Sequence, residues 1–184
     1  MSTTVNRMRA TVLLLILATL LAACGDSASG GGSGGEPGGE PGGGSSREQV
    51  EATTTGHAKE AVPLASEALA ASSSEIYTQW RSCMAVSWRY SVFGNILAPE
   101  ADPDRQLERV RQALVEAGYD DITQVEGGLR MQRDGTTVVV EQPTPVYGPE
   151  VWKVSVDSEC ASYDGDDEEL VENDTPTLLE GLGR

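Results

Sequence analysis

The sequence is poor in basic residues and in the side chains that most enzymes use for proton transfer. Its 184 residues contain 13 lysines and arginines against 29 aspartates and glutamates, and His57 is the single histidine. Lysine occurs only at Lys59 and Lys153. The formal net charge of −16 argues against a nucleic-acid partner, because phosphates require basic surfaces. It also argues against electrostatic docking on an anionic membrane.

Motifs of common hydrolases and nucleotide-binding enzymes are also missing. Outside the glycine-rich stretch that follows residue 24, the chain has no Gly-x-Ser-x-Gly, no phosphate-binding glycine loop and no His-Glu-x-x-His. Without a Cys or His nearby in sequence, His57 is a weak candidate for metal binding, and a nucleophilic triad has no evident base. We therefore expect no catalytic residue, cofactor or metal, and no enzyme. Paired carboxylates that hydrolyse glycosides remain an alternative, because acids are abundant.

No apolar run approaches the ~20 residues that a membrane-spanning helix requires. The longest run, from Val12 to Leu21, follows the only early charges, Arg7 and Arg9, and leads into small residues. A basic start, a short apolar core and small residues at a cut site are typical of a secretory signal peptide. Residues 1–23 are therefore predicted to be a signal peptide.

The residues that end this leader are Leu21, Ala22, Ala23 and Cys24. They resemble the lipobox of bacterial lipoproteins, in which leucine and small residues precede a cysteine. The resemblance implies a diacylglyceryl group on the Cys24 sulfur, cleavage between Ala23 and Cys24, and an acylated N-terminus (palmitate). Several acyl chains anchor a protein firmly in a membrane, whereas a single chain gives only marginal membrane binding. The alternative is a plain signal peptide cut nearby, with Cys24 left as a free thiol.

Residues 24–46 combine the lipidation site with a segment rich in Gly, Ser and Pro, which includes the direct repeat Gly-Gly-Glu-Pro at 34–41. Such a composition cannot bury a core, and we expect a disordered tether. A flexible coil of this length reaches about 25 Å, enough to hold a globular domain at 47–163 clear of the lipid head groups. Residues 164–184 are predicted to be an acidic, flexible tail. Weak binding of divalent cations by this tail is an alternative, although its spacing does not match an EF-hand.

Cys83 and Cys160 remain once Cys24 is assigned to lipid. An even number of cysteines in an exported chain predicts a disulfide between them; two buried free thiols are the alternative. The bridge would close a loop of about 78 residues and destabilise the unfolded chain by roughly 4 kcal/mol.

Two helices are predicted. The first covers 58–71, where apolar residues recur at helical spacing around Pro63. The second covers 102–118, where Asp102 is suited to the N-cap, Pro103 to the first turn and Gly118 to the position after the end.

The strands follow from alternation and turn residues. From Ser82 to Val92 the pattern alternates strictly, which predicts one long strand with Met84, Val86, Trp88, Tyr90 and Val92 on its core face; this aromatic stripe as a ligand platform is the alternative. Further strands are expected at 122–126, 129–133, 136–141 and 151–158, the middle two joined at Asp134-Gly135. In the last, Trp152, Val154 and Val156 should point inward.

These elements predict an α+β fold: an antiparallel sheet of about four to five strands, two helices packed on one face, and one disulfide. In outline the chain looks like the many small cell-envelope lipoproteins of unassigned function in actinobacteria, a likeness that carries no site residue beyond Cys24.

Two functions are compatible with this outline. The first is an accessory role of a non-enzymatic lipoprotein at the extracytoplasmic face of the cell membrane, through contact with another envelope protein; it predicts a flat exposed apolar surface. The second is a surface module that binds a small ligand or cell-wall component; it predicts a pocket lined by residues such as Trp80 or Tyr147.

Overall fold

A computed structural model describes residues 45–182 of the chain. The predicted signal peptide, the lipobox with Cys24, and the tether up to residue 44 lie outside the described residues. The first helix is α1 (Arg47–Ala68).

Helix α1 is longer than predicted at its N-terminal end, because a capping box starts it. The Ser46 hydroxyl accepts a hydrogen bond from the Gln49 amide, while the Gln49 side chain accepts one from the Ser46 amide. This satisfies backbone donors that the helix itself leaves free. Pro63 lies inside the helix with its ring exposed. The expected start near residue 58 is therefore wrong by about three turns.

Helix α2 (Pro103–Glu116) is close to its prediction. The Asp102 carboxylate accepts hydrogen bonds from the amides of Asp104 and Arg105, and Pro103 occupies the first turn. Leu107, Val110 and Leu114 are buried. Neither α1, α2 nor any other helix within residues 45–182 is long and apolar enough to cross a membrane.

The strands form a single antiparallel sheet with the order β3-β4-β5-β6-β2-β1-β7. The α+β class and antiparallel pairing are confirmed, but the described chain contains seven strands and a third helix, more than predicted. In chain order the bounds are β1 (Ser73–Met84), β2 (Ser87–Leu97), β3 (Asp120–Asp121), β4 (Gly128–Arg133), β5 (Thr136–Glu141), β6 (Val151–Asp157), α3 (Asp166–Glu172) and β7 (Thr177–Leu178).

The hydrophobic core lies between α1, α2 and one face of the sheet. Trp152, Val154 and Val156 of β6 point into it and are buried, as the alternation predicted. The other strands contribute alternate residues to the same face. These are Ile76 and Trp80 of β1, Tyr90, Val92 and Ile96 of β2, Leu129 and Met131 of β4, and Val138 and Val140 of β5.

The prediction of one long strand from Ser82 to Val92 is wrong. The chain reverses at Ala85-Val86, so that β1 and β2 form a hairpin with a register irregularity between Ser82 and Met84. Met84 and Val86 are 72% and 69% exposed instead of facing the core. No Gly, Pro or Asn marks this turn, and the apolar alternation runs through it; therefore the pattern concealed the reversal.

Two further expectations differ from the structure. In place of a strand at 122–126, only Asp120 and Asp121 pair with β4, and Val125 is exposed. Most of the expected flexible tail is folded: α3 buries Val171, and β7 pairs with β1. Asp174 holds this segment to the edge of β1, because its carboxylate accepts a hydrogen bond from the Trp80 amide at 2.7 Å.

Candidate functional site

The predicted disulfide is present. Cys83 is the penultimate residue of β1, and Cys160 follows β6 by three residues. Their sulfurs are bonded, and their Cα atoms lie 6.3 Å apart. The segment after β6 continues along β2, where Trp88 and Ala161 exchange two backbone hydrogen bonds. The bridge therefore fastens the hairpin tip to the strand pair β2–β6 and holds no reactive thiol.

His57 belongs to a polar cluster between α1, the turn after α2 and the end of β4. Its Nδ1 accepts a hydrogen bond from Arg133 at 3.1 Å and lies 3.2 Å from the Tyr119 hydroxyl. Arg133 also pairs with Glu60 and donates to the Ala117 carbonyl at 2.6 Å. Burial lowers the pKa of His57, the Arg133 cation lowers it further, and Asp134 and Glu60 oppose the shift. The cluster favours a neutral imidazole that ties three elements together.

The acidic C-terminal region does not assemble a cation site among the residues described. Within residues 45–182 no three His, Cys, Asp or Glu side chains converge as metal ligands would. Asp167 instead pairs with Arg47 of α1 at 3.2 Å, and Asp174 caps the edge of β1. These two carboxylates connect the chain end to the domain.

The face of the sheet opposite the helices, here called the open face, carries a mixed set of side chains that the strand register brings together. Its central row runs across six strands, and each neighbour in the row is a direct cross-strand partner. The row consists of Arg130, Val139, Ser155, Phe93, Tyr77 and Leu178. Since this row joins residues from 77 to 178, the site exists only through the strand order.

A groove of about 470 Å³ lies on the open face. Its floor is apolar and aromatic, with Phe93, Tyr77 and Val139 half-buried, and polar groups surround the floor. The two aromatic rings lie 6.3 Å apart. The remaining lining residues are Arg81, Gly94, Asn95, Glu141, Lys153, Val154 and Ser155.

Both cations of the groove lie over aromatic rings. The Arg81 guanidinium carbon is 5.2 Å from the centroid of Phe93, and the Lys153 ammonium nitrogen is 3.7 Å from the centroid of Tyr147. Cation–π attraction of this kind holds a charge in place without neutralising it. The groove therefore offers two positioned positive charges.

A buried carboxylate lies beside the groove. Asp157 is 8% exposed, and its oxygens accept hydrogen bonds from the hydroxyls of Ser91 at 2.6 Å and Ser155 at 2.9 Å. Both donors are on neighbouring open-face positions, and within the described residues neither has a histidine beside it. The two hydroxyls hold the Asp157 carboxylate in place, and the arrangement lacks the histidine that would activate a serine as a nucleophile.

The residues expected to line a pocket have different roles. Trp80 is buried in the core, where its indole nitrogen donates to Glu51 at 2.8 Å and its ring packs on Tyr163 and Tyr90. Tyr147 supports Lys153 from the loop before β6. Arg81, Phe93, Val139 and Lys153 were not predicted as site residues; the outward half of each strand's alternation was the only signal that could have pointed to them.

No protein-family model, curated protein or solved structure matches this chain.

Proposed function

We propose that this protein is a non-enzymatic binding protein of the cell envelope, attached to the membrane through lipid on Cys24. The resemblance of residues 21–24 to a lipobox supports the anchor, and the predicted signal peptide supports a position on the extracytoplasmic side. The groove on the open face carries the binding part of the proposal, because 470 Å³ lies within the ~300–1,000 Å³ typical of small-molecule sites. Its ligand is a small molecule or a unit of a cell-wall component.

An accessory role through contact with another protein has less support. That role requires a contiguous apolar surface, whereas the exposed apolar side chains are distributed over the β1–β2 turn, several loops, helices α2 and α3, and strand β7. They include Met84, Val86, Val115, Val125, Val146, Leu170 and Leu178.

The anchor is tested by replacing the acceptor cysteine. Cys24→Ala should abolish incorporation of radiolabelled palmitate and release the protein from membranes, because no other sulfur lies within the lipobox. Ser27→Ala, three residues further on, serves as the control and should label like the wild type. Palmitate incorporation that persists in Cys24→Ala would contradict the anchor.

Ligand binding is tested by filling the groove. Asn95 is exposed and lines the groove, so Asn95→Trp should block it without disturbing the core. Small molecules released from membrane-purified protein are compared by mass spectrometry, and a compound found with the wild type should be missing from Asn95→Trp. Arg105→Trp, on the exposed side of α2, is the control and should keep it. Equal recovery from both variants would exclude the groove as the site.

A further inference from the structure

We propose, on the basis of the proposed function, that the ligand of the groove is a small organic anion. Its carboxylate or phosphate group is attracted by Arg81 and Lys153, which lie at opposite ends of the groove, and its apolar part lies on the floor formed by Phe93 and Val139.

The first reason is that the cations of the open face have no acidic partners. Among residues 45–182, ion pairs within 4.0 Å involve the basic residues Arg47, Arg111 and Arg133. None involves Arg81 or Lys153, although the chain has more than twice as many acids as bases. Lys59, Arg105 and Arg109 on the helices form no such pair either, but Arg81 and Lys153 are the cations that line the groove. Their positive charge there favours an anion from outside.

The second reason is the arrangement of arginines at one end of the groove. Arg89 lies directly across from Arg81 in the β1–β2 register, and like charges in such a pair destabilise a sheet. The Nε of Arg89 is buried without a hydrogen-bond partner within the described structure. A bound anion would relieve the repulsion, because it adds a negative charge beside both guanidinium groups.

The third reason concerns the acid that does line the groove. Glu141 is the direct cross-strand partner of Lys153, yet the two form no ion pair within 4.0 Å. The ammonium group lies over Tyr147 instead. Glu141 lowers the positive potential of the groove but does not form an ion pair with Lys153. Removal of its charge should therefore strengthen the binding of an anionic ligand.

The experiment uses four small probes with the full chain in detergent micelles. Benzoate and phenyl phosphate carry an anion and a ring; benzamide has the ring without the charge; acetate has the charge without the ring. Binding is followed by the amide NMR signals of open-face residues. We expect benzoate or phenyl phosphate to bind most tightly, and the better of the two identifies carboxylate or phosphate as the natural group. Added salt should weaken binding, because it screens exposed charges.

Variants separate the roles of the charges. Arg81→Gln and Lys153→Gln should each weaken binding of the anionic probe about threefold to fivefold, the effect expected of a partly exposed ion pair. Glu141→Gln should strengthen it, an outcome that a merely structural role of these residues does not produce. Arg105→Gln, on the exposed side of α2, should leave the affinity unchanged.

Two outcomes would overturn the inference, and they have different consequences for the proposed function. If benzamide shifts the open-face signals with the same affinity as benzoate, the groove binds small molecules but does not select anions, and the proposed function survives. If none of the four probes shifts those signals, both the anionic ligand and the groove as a binding site are contradicted.

Discussion

At the scale of single residues, His57 makes the stability of the domain depend on pH. Its Nδ1 faces the guanidinium of Arg133, a group that can only donate hydrogen bonds, so a proton on Nδ1 would meet a donor and a positive charge. Burial and Arg133 therefore hold the pKa of His57 below its usual value, while Asp134 and Glu60 oppose them only in part.

The sign of this effect follows from proton binding. The unfolded chain, with a histidine pKa of about 6.5, binds a proton at a higher pH than the folded chain does, so stability is complete above that value and decreases as pH falls toward the lower folded pKa. The free energy of unfolding in urea should decrease between pH 7.5 and 5.5, by at most about 1.4 kcal/mol per pH unit.

Since the chain has a single histidine, the control is direct. His57→Gln should remove most of the pH dependence in this window; the lowered pKa of Glu60 affects stability only in more acidic solution. If the unfolding free energy of the wild-type protein is constant from pH 7.5 to 5.5, the pKa of His57 is not lowered in the folded state.

Among the secondary-structure elements, the C-terminal segment with α3 and β7 is the clearest departure from expectation. Its composition is that of a solvated tail, but one apolar residue and one carboxylate fasten it. Val171 is 1% exposed, and the Asp174 carboxylate accepts the amide hydrogen of Trp80 at the sheet edge. The acidic composition of residues 164–174 did not indicate which carboxylate would form a hydrogen bond with the rest of the domain.

Val171→Ala should therefore destabilise the domain by about 2 kcal/mol, the cost of removing buried methyl groups and leaving a small cavity. Thermal unfolding monitored by circular dichroism measures the change. Glu172→Ala, one residue further on and exposed, should have little effect. If both variants unfold at the same temperature as the wild type, the C-terminal segment contributes nothing to the stability of the fold.

Elements with purely local signals were the most predictable. The alternation of β5 and β6, the Asp134-Gly135 turn and the Asp102 cap each depend on neighbouring residues, and the structure has them where they were expected. Predictions were wrong where a local pattern competed with a distant contact. The β1–β2 turn has apolar residues at its tip. Helix α1 begins before residue 58, where the residues that it buries include the polar Thr54 and His57, so no apolar stripe marked that part.

For the molecule as a whole, the disulfide joins parts of the fold that are far apart in sequence. Cys83 and Cys160 are separated by 77 positions, and loop closure of this size restricts the unfolded chain. The double variant Cys83→Ser/Cys160→Ser should lower the free energy of unfolding by about 4 kcal/mol. Wild-type protein unfolded in the presence of reductant should match the double variant. An unchanged urea midpoint in both would mean that the bridge does not limit unfolding.

The strand order also relates the N-terminal end of the described residues to the groove. Ser45, the first described residue, lies beside Asp134, Gly135 and Cys160, with which it lines a shared cavity. Strand β5 leads from that end of the sheet to the opposite end, where the loop before β6 carries Tyr147. The Lys153 end of the groove is thus distant from the entry of the chain into the domain.

Sequence alone was sufficient for the α+β class, the second helix, strands β4 to β6 and the disulfide pairing. Each of these follows from spacing within a short segment or from the number of cysteines in a chain that is predicted to be exported. Only the tertiary structure decided which face of the sheet stays open and which side chains meet there. Phe93, Val139 and Lys153 share a groove because three strands pair in one register, and register depends on contacts across the whole chain.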